Sequence, residues 1–326
     1  MNEITSGKKI FVNRTLNMNF IKLVGFDMDY TLVTYNVPAF ENLVHQLVVD
    51  KLIHEKGYPN ALRKLRFDPQ FIVRGLVLDT ELGNLLKVNC FGYVKKAAHG
   101  TRFMTFEEQK KAYNAPAIDL SDSRYYIVTT LFSLAEAHVF AQLVTLLEET
   151  GKPLSYRQIF HDIREMVDIV HQEGILKSTV LKHPDQYLYR EPKIIEALQR
   201  LKANGKKLAL ITNSDYEYSN GAMNYCFNPY LKHPWQDLFD IIVVASSKPG
   251  FFQQSNKFLR VNRDDGHLRN FYEPLQWGGI YQGGNARTFE RDLGLNPSEI
   301  LYCGDHIFGD VVTLKEAIGW RTGLIL

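Results

Sequence analysis

An apolar run, Ile21 to Phe26, is followed at once by Asp27-Met28-Asp29-Tyr30-Thr31-Leu32, and this junction governs how the rest of the chain can be arranged. The run reads as a buried strand. Residues at i and i+2 of an extended segment point the same way, so Asp27 and Asp29 can both reach one small site beyond the strand's end. In a parallel sheet that site lies at the carboxyl edge. Such a pair has two readings. It can simply start a turn or cap a helix. It can also be reactive: one carboxylate attacks phosphorus and becomes an aspartyl-phosphate, while the other manages the proton of the leaving oxygen and later of the attacking water. Two close negative charges repel an anionic substrate, so that chemistry calls for a hard cation such as Mg²⁺.

Three later stretches stand in the same relation to an apolar run. Leu208 to Ile211 delivers Thr212-Asn213-Ser214, whose hydroxyls and free amides at a helix start suit a phosphate, although a simple N-cap uses the same residues. Lys248 follows Ile241 to Val244 and precedes Pro249, which biases it towards extended backbone and off a helix. An ammonium there screens the nucleophile from the phosphate and offsets transition-state charge; the alternative is a solvated loop lysine. Gly304-Asp305-His306-Ile307-Phe308-Gly309-Asp310 follows Ile300 to Tyr302, and Asp305 and Asp310 can complete an oxygen-rich Mg²⁺ site with Asp27.

About 180 residues separate Asp27 from Thr212, far more than one crossover needs, so a second domain is expected between them. The expected division is a core of residues 1–36 and 190–326 with an insertion of residues 37–189. Within the insertion, helices are expected at Phe40 to Leu52, stopped by Gly57, at Leu134 to Glu149 and at Tyr156 to Gln172. A hairpin is expected over Phe71 to Asn89. Lys95, Lys96, His99 and Arg102 read as a solvated face. On the Tyr156–Gln172 helix, Arg164, Asp168 and His171 stand at i, i+4 and i+7. They form either an exposed ladder or a donor and acceptor set suited to a purine edge. Gln253 to Gly284 shows no clear periodicity and reads as a long excursion before a helix at Thr288 to Leu293. A helix from Val312 to Ile318 and a strand from Thr322 to Leu326 finish the chain.

At 326 residues and 45% apolar composition the chain can bury a large core, and a net charge of +2 does not point to nucleic acid. Cys90, Cys226 and Cys303 are odd in number and scattered, which points to a reducing, cytoplasmic setting. The polar start, Met1 to Asn13, lacks the apolar centre of a signal peptide, and no run reads as a membrane span.

Asp-Met-Asp-Tyr-Thr-Leu, with the three later motifs in this order, resembles the haloacid-dehalogenase superfamily. The similarity narrows when Phe160-His161-Asp162-Ile163-Arg164-Glu165-Met166-Val167-Asp168-Ile169-Val170-His171, Thr212-Asn213-Ser214-Asp215-Tyr216, Ser247-Lys248-Pro249-Gly250-Phe251-Phe252 and the heptapeptide with His306 and Phe308 are taken together. These resemble the cytosolic purine 5′-nucleotidases specific for IMP and GMP. The resemblance implies an α/β fold: a Rossmann-like core with a parallel sheet and a large α+β cap inserted after the first motif. It implies Asp27 as nucleophile, Asp29 as general acid and base, and Mg²⁺ held by Asp27, the Asp29 carbonyl and Asp305, with Asp310 in support. Thr212, Asn213, Ser214 and Lys248 would hold phosphate, and Arg164, Asp168 and His171 would read the base, with Phe132 stacking on it and Lys177 close by. It also implies phosphate transfer to nucleosides, nucleotide effectors such as ATP, and members that continue beyond the position of Leu326 with a segment that builds homo-oligomers. A nucleotide-binding or assembly protein with a silent site is the reading from another class. The complete set Asp27, Asp29, Lys248 and Asp305 speaks against it.

Overall fold

The computed structural model describes residues 10–12, 15–114, 117–150 and 155–326. Most of the polar Met1 to Asn13 start lies outside the described residues.

An eight-stranded sheet forms the centre. Leu23–Phe26 lies between Lys207–Ile211 and Ile300–Gly304, parallel to both. Ile241–Val244 and Ile280–Gly283 extend the sheet beyond Lys207–Ile211, and Arg321–Leu324 closes the opposite edge. Apart from Lys207 at a strand start, the inner strands are almost wholly apolar because both faces are covered. Side chains alternate between two cores: Val24, Leu208, Leu210, Ile242 and Val244 face one, and Leu23, Ala209, Ile211, Ile241 and Val243 face the other.

The Gln253–Gly284 stretch is not an irregular excursion. Phe258–Val261, Leu268–Asn270 and Ile280–Gly283 are strands, the first two forming an antiparallel hairpin at the sheet edge. Each has only three or four residues, and Arg260, Arg269 and Asn270 are exposed, so no period long enough to read emerges.

In the expected insertion, helices Val37–Lys56, Leu134–Glu148 and Tyr156–Gln172 pack together and share the first of the two cores. Leu131–Glu148, which contains the second of these helices, is long and apolar enough to cross a membrane by length and composition, contrary to the sequence reading, but most of it is buried inside the protein. Five antiparallel strands lie against them, in the order Arg102–Phe103, Val94–His99, Asn84–Val88, Val77–Asp79 and Tyr125–Ile127. Leu78, Leu85 and Ala98 face the helices, while Val77, Leu86 and Ala97 face a small outer cluster. The first hairpin strand starts only at Val77, since Gly75 takes φ +91° and turns the chain before it. Lys95 and Lys96 are exposed as expected, but His99 is tied to Asn84 and Glu148, at 2.7 and 2.8 Å, and is not simply solvated.

Candidate active site

Running out of the central strand, the chain passes to Lys207–Ile211 and Ile241–Val244 on one side and returns to Ile300–Gly304 on the other. The reversal opens a crevice beyond the carboxyl ends of these strands, where an open α/β sheet binds its ligands. Asp27, Ser214, Lys248 and Asp305 all line one cavity of about 440 Å³ there.

Lys248 is the hub. Its buried Nζ lies 2.8 Å from Asp27 Oδ2, 2.9 Å from Asp310 Oδ1 and 2.6 Å from the Tyr302 hydroxyl, which itself donates to the Ile211 carbonyl at 2.8 Å. Burial alone disfavours the ammonium, but Asp27 and Asp310 outweigh it and hold Lys248 above its ordinary pKa. Two glycines make room for this cluster. A Cβ at Gly25 would meet the Tyr302 ring at 2.9 Å, and one at Gly304 would collide with the Asp310 carboxylate.

Asn213 sets the loop that carries Lys248. Its Oδ1 accepts from the Lys248 amide at 2.6 Å and the Ser246 hydroxyl at 2.9 Å, and its Nδ2 donates to the Lys248 carbonyl at 2.9 Å. Tyr30, Ala245 and Ser247 are the non-glycine residues with positive φ among the described residues, at +55°, +43° and +59°. They flank Asp29 and Lys248, so the strained backbone is concentrated at this site.

Carboxylate oxygens of Asp27, Asp305 and Asp310 lie within 4.8 Å of one another. Asp305 Oδ2 is buried without a hydrogen-bond partner among the described residues. An orphaned anionic oxygen beside two other carboxylates fits a hard divalent cation, which oxygen ligands favour. Burial raises Asp27 to about 7, against the pull of Lys248, and raises Asp305 to about 6, with Asp310 adding to it. A positive charge at the cluster would reverse both. The Asp29 carboxylate is not part of this group: Oδ1 accepts from Tyr35 at 2.6 Å and Oδ2 from Ser214 at 2.7 Å.

The remaining expected residues divide. Phe132, His171 and Lys177 line the cavity, together with Tyr35, Phe40, Leu176 and Phe308. The Phe132 ring stands edge-on to Tyr30, Phe40 and His171, at 4.6, 5.6 and 6.3 Å. Burial, then the Lys177 charge, keeps His171 below its ordinary pKa. Lys177 is paired with Asp215. Arg164 does not line the cavity. It is held by the buried Glu136 at 2.9 Å and the Tyr126 hydroxyl at 3.1 Å. Asp168 is exposed, 3.8 Å from Arg164. Thr212 is fully buried, with its hydroxyl accepting from the Ser214 amide at 3.1 Å, and lies outside the cavity lining. The last motif continues into a π-helix, Ile307–Val312, and then the Thr313–Ala317 helix, a wide turn of a kind frequent at functional sites.

Strand order and motif placement define a haloacid-dehalogenase-type α/β protein. The profile of the 5′ nucleotidase family matches residues 10–326, and the chain belongs to that family. It is 32% identical over 328 residues to a 5′-nucleotidase domain-containing protein of Dictyostelium discoideum, covering 97% of this chain and 55% of the relative. It is 29% identical over 331 residues to 5′-nucleotidase domain-containing protein 2 of Rattus norvegicus, covering 97% and 59% respectively. The chain therefore spans little more than half the length of these relatives. A HAD phosphatase from Thermococcus onnurineus aligns at 16% identity over 93% of this chain and 85% of that one, with a TM-score of 0.37, too low to add to the strand-order argument.

Proposed function

We propose that this chain is a Mg²⁺-dependent phosphomonoesterase that releases phosphate from purine nucleoside 5′-monophosphates, with IMP and GMP preferred, through an aspartyl-phosphate on Asp27. One observation carries the reading: Asp27 and Lys248 form an ion pair in the lining of a cavity that Phe40, Phe132 and Phe308 also line, beside an Asp305 oxygen with no partner among the described residues. Family membership supports the class of reaction.

Asp27, Asp305, Asp310 and the backbone carbonyl of Asp29 are the groups assigned to hold Mg²⁺. When bound, the ion neutralises the carboxylates and polarises the phosphoryl oxygens. Asp27 attacks phosphorus, and Lys248 orients it and offsets charge on the phosphoryl group. Asp29 gives its proton to the leaving 5′-oxygen, then takes one from the water that hydrolyses the aspartyl-phosphate. Asn213 and Ser214 border the phosphate, and Phe132 and His171 border the base. Residues 37–189 act as the cap that closes on the substrate. The unpaired cysteines suit a reducing compartment such as the cytoplasm.

A second reading is a broader phosphatase or nucleoside phosphotransferase on the same site. The retreat of Arg164 and Asp168 from the cavity favours it, since two of the residues expected to read the base are engaged elsewhere. Phosphate release from IMP, GMP, AMP, CMP and a simple alkyl phosphate, each with Mg²⁺ or chelator and with or without excess inosine, decides between them. Mg²⁺-dependent preference for IMP and GMP supports the first reading. Equal turnover of all five, or phosphate captured by inosine, supports the second, and no turnover overturns both.

A further inference from the structure

Asp29 is set apart from the other carboxylates of the site by having both oxygens taken by side-chain hydroxyls. Tyr35 lies 2.6 Å from Oδ1 and Ser214 2.7 Å from Oδ2, and the Tyr35 and Tyr218 hydroxyls are 2.7 Å apart. Both phenols are buried, at 3% and 5% exposure. Once Asp29 has given its proton to the leaving oxygen it is a carboxylate that can only accept, so in that state the Tyr35 proton faces it. The Tyr35 oxygen must then accept from Tyr218, and the chain runs one way, Tyr218 to Tyr35 to Asp29. Its members come from different parts of the fold. Tyr35 lies in the short Thr34–Tyr35 strand paired with Leu188–Tyr189, and Tyr218 lies in the first turn of the Tyr216–Phe227 helix. That turn is fixed by Asp215, which caps the Tyr218 amide at 2.8 Å and holds Lys177 with its other oxygen.

We propose that Tyr35 and Tyr218 are positioning residues for proton transfer, locking the Asp29 carboxyl so that its free lone pairs face the oxygen being protonated or deprotonated. This rests on the reading of Asp29 as acid and base. In the first step the Asp27–phosphorus bond forms, the phosphorus–leaving-oxygen bond breaks and the proton passes from Asp29 to that oxygen. In the second, water oxygen bonds to phosphorus, the Asp27–phosphorus bond breaks and the water proton returns to Asp29. Both tyrosines keep their protons throughout. A chain of hydroxyls of this kind strengthens cooperatively in a dry site. Ser214 belongs to the same clamp, so its hydroxyl serves Asp29 first.

The test is dependence on the leaving group. A nucleoside alkoxide needs its proton as it departs, whereas p-nitrophenolate does not, and kcat/KM reports the step in which it leaves. Tyr35→Phe and Tyr218→Phe keep the rings and remove only the hydroxyls. In Tyr35→Phe the ratio of kcat/KM for a nucleoside 5′-monophosphate to that for p-nitrophenyl phosphate should fall about tenfold or more, a modest part of what general acid catalysis supplies. Tyr218→Phe should move the ratio the same way by less, and it carries the test alone if Tyr35→Phe does not fold. An unchanged ratio in both variants, whether the two rates fall together or not at all, overturns the proposal. Asp27→Asn separates the two levels: retained turnover there removes the phosphohydrolase reading and this proposal with it, while an inactive Asp27→Asn beside an unchanged ratio removes only the role of the tyrosines.

Discussion

Lys248 Nζ sits 2.8 Å from Asp27 Oδ2 with both side chains largely withdrawn from solvent. An ammonium so placed aims the carboxylate and offsets its charge, and the cluster tolerates burial only because the pair is complete. Breaking a buried pair by removing one partner leaves the other charge uncompensated at about 3–5 kcal/mol. Lys248→Met should therefore lower the unfolding free energy by about that amount, besides abolishing phosphate release. Lys248→Arg should keep the charge and most of the stability but lose activity, because a planar fork cannot replace a point donor shared by Asp27, Asp310 and Tyr302. Urea unfolding alongside a phosphate-release assay checks both. Equal stability of Lys248→Met and the parent would contradict the pair's structural role.

Mg²⁺ should stabilise the folded chain directly. A ligand that binds only the native state at ten times its Kd adds about 1.4 kcal/mol. The apparent Tm should rise with added Mg²⁺ and fall back with chelator. Asp305→Asn should abolish that rise without loss of fold, since Asp305 Oδ2 has no partner to lose among the described residues. A Mg²⁺ response undiminished in Asp305→Asn would remove Asp305 from the metal set.

Phe132 and Arg164 should separate under mutation. Phe132→Ala removes an aromatic wall of the cavity, and aromatic contacts of this kind contribute about 0.5–1.5 kcal/mol. Its KM for nucleoside monophosphates should rise up to about tenfold, with little change for a small alkyl phosphate. Arg164→Met should act on stability instead, because it leaves the buried Glu136 short of its donor at a cost of about 1–3 kcal/mol. A KM effect confined to purine nucleotides in Arg164→Met would instead mean that Arg164 leaves Glu136 to meet the base.

Asp27, Lys248 and Asp305 were legible because each lies shortly past an apolar run, strand ends in a parallel sheet converge, and Asp310 follows Asp305 in the same motif. Tyr302, Tyr35 and Tyr218 were not. Tyr302 is one more aromatic residue in a buried strand, and only the absence of a side chain at Gly25 records that its ring crosses there. Tyr35 and Tyr218 are 183 positions apart, and no local pattern couples them. The spacing of Arg164, Asp168 and His171 fixes a shared helix face but not what that face meets. Glu136, from the Leu134–Glu148 helix, captures Arg164, while His171, nearer the helix end, reaches the cavity. The hairpin Phe258–Asn270 was hidden by its brevity and its exposed arginines.

Glu136 has a buried neighbour, Glu41, whose consequence is a pH dependence away from the catalytic cluster. Glu41 Oε2 accepts from the Ala135 amide at 2.8 Å, while its Oε1 and the Oε1 of Glu136 are buried without partners among the described residues. Burial raises Glu41 from 4.5 to about 8, with the nearby Glu136 charge adding to it, and burial raises Glu136 to about 7 against the pull of Arg164. Between 4.5 and about 8 the unfolded chain has lost the Glu41 proton and the folded chain keeps it. The native state then binds more protons, so stability falls as pH rises through that window, with a slope approaching about 1.4 kcal/mol per pH unit from this one group. The contribution is complete below 4.5 and gone once pH passes about 8. Glu41→Gln keeps a neutral side chain of the same shape at every pH. It should match the parent in urea at pH 5 and exceed it at pH 8, with a flatter stability profile between. Parallel profiles for parent and variant would mean that Glu41 is ionised in the folded protein and that its charge is met by a group other than the Ala135 amide.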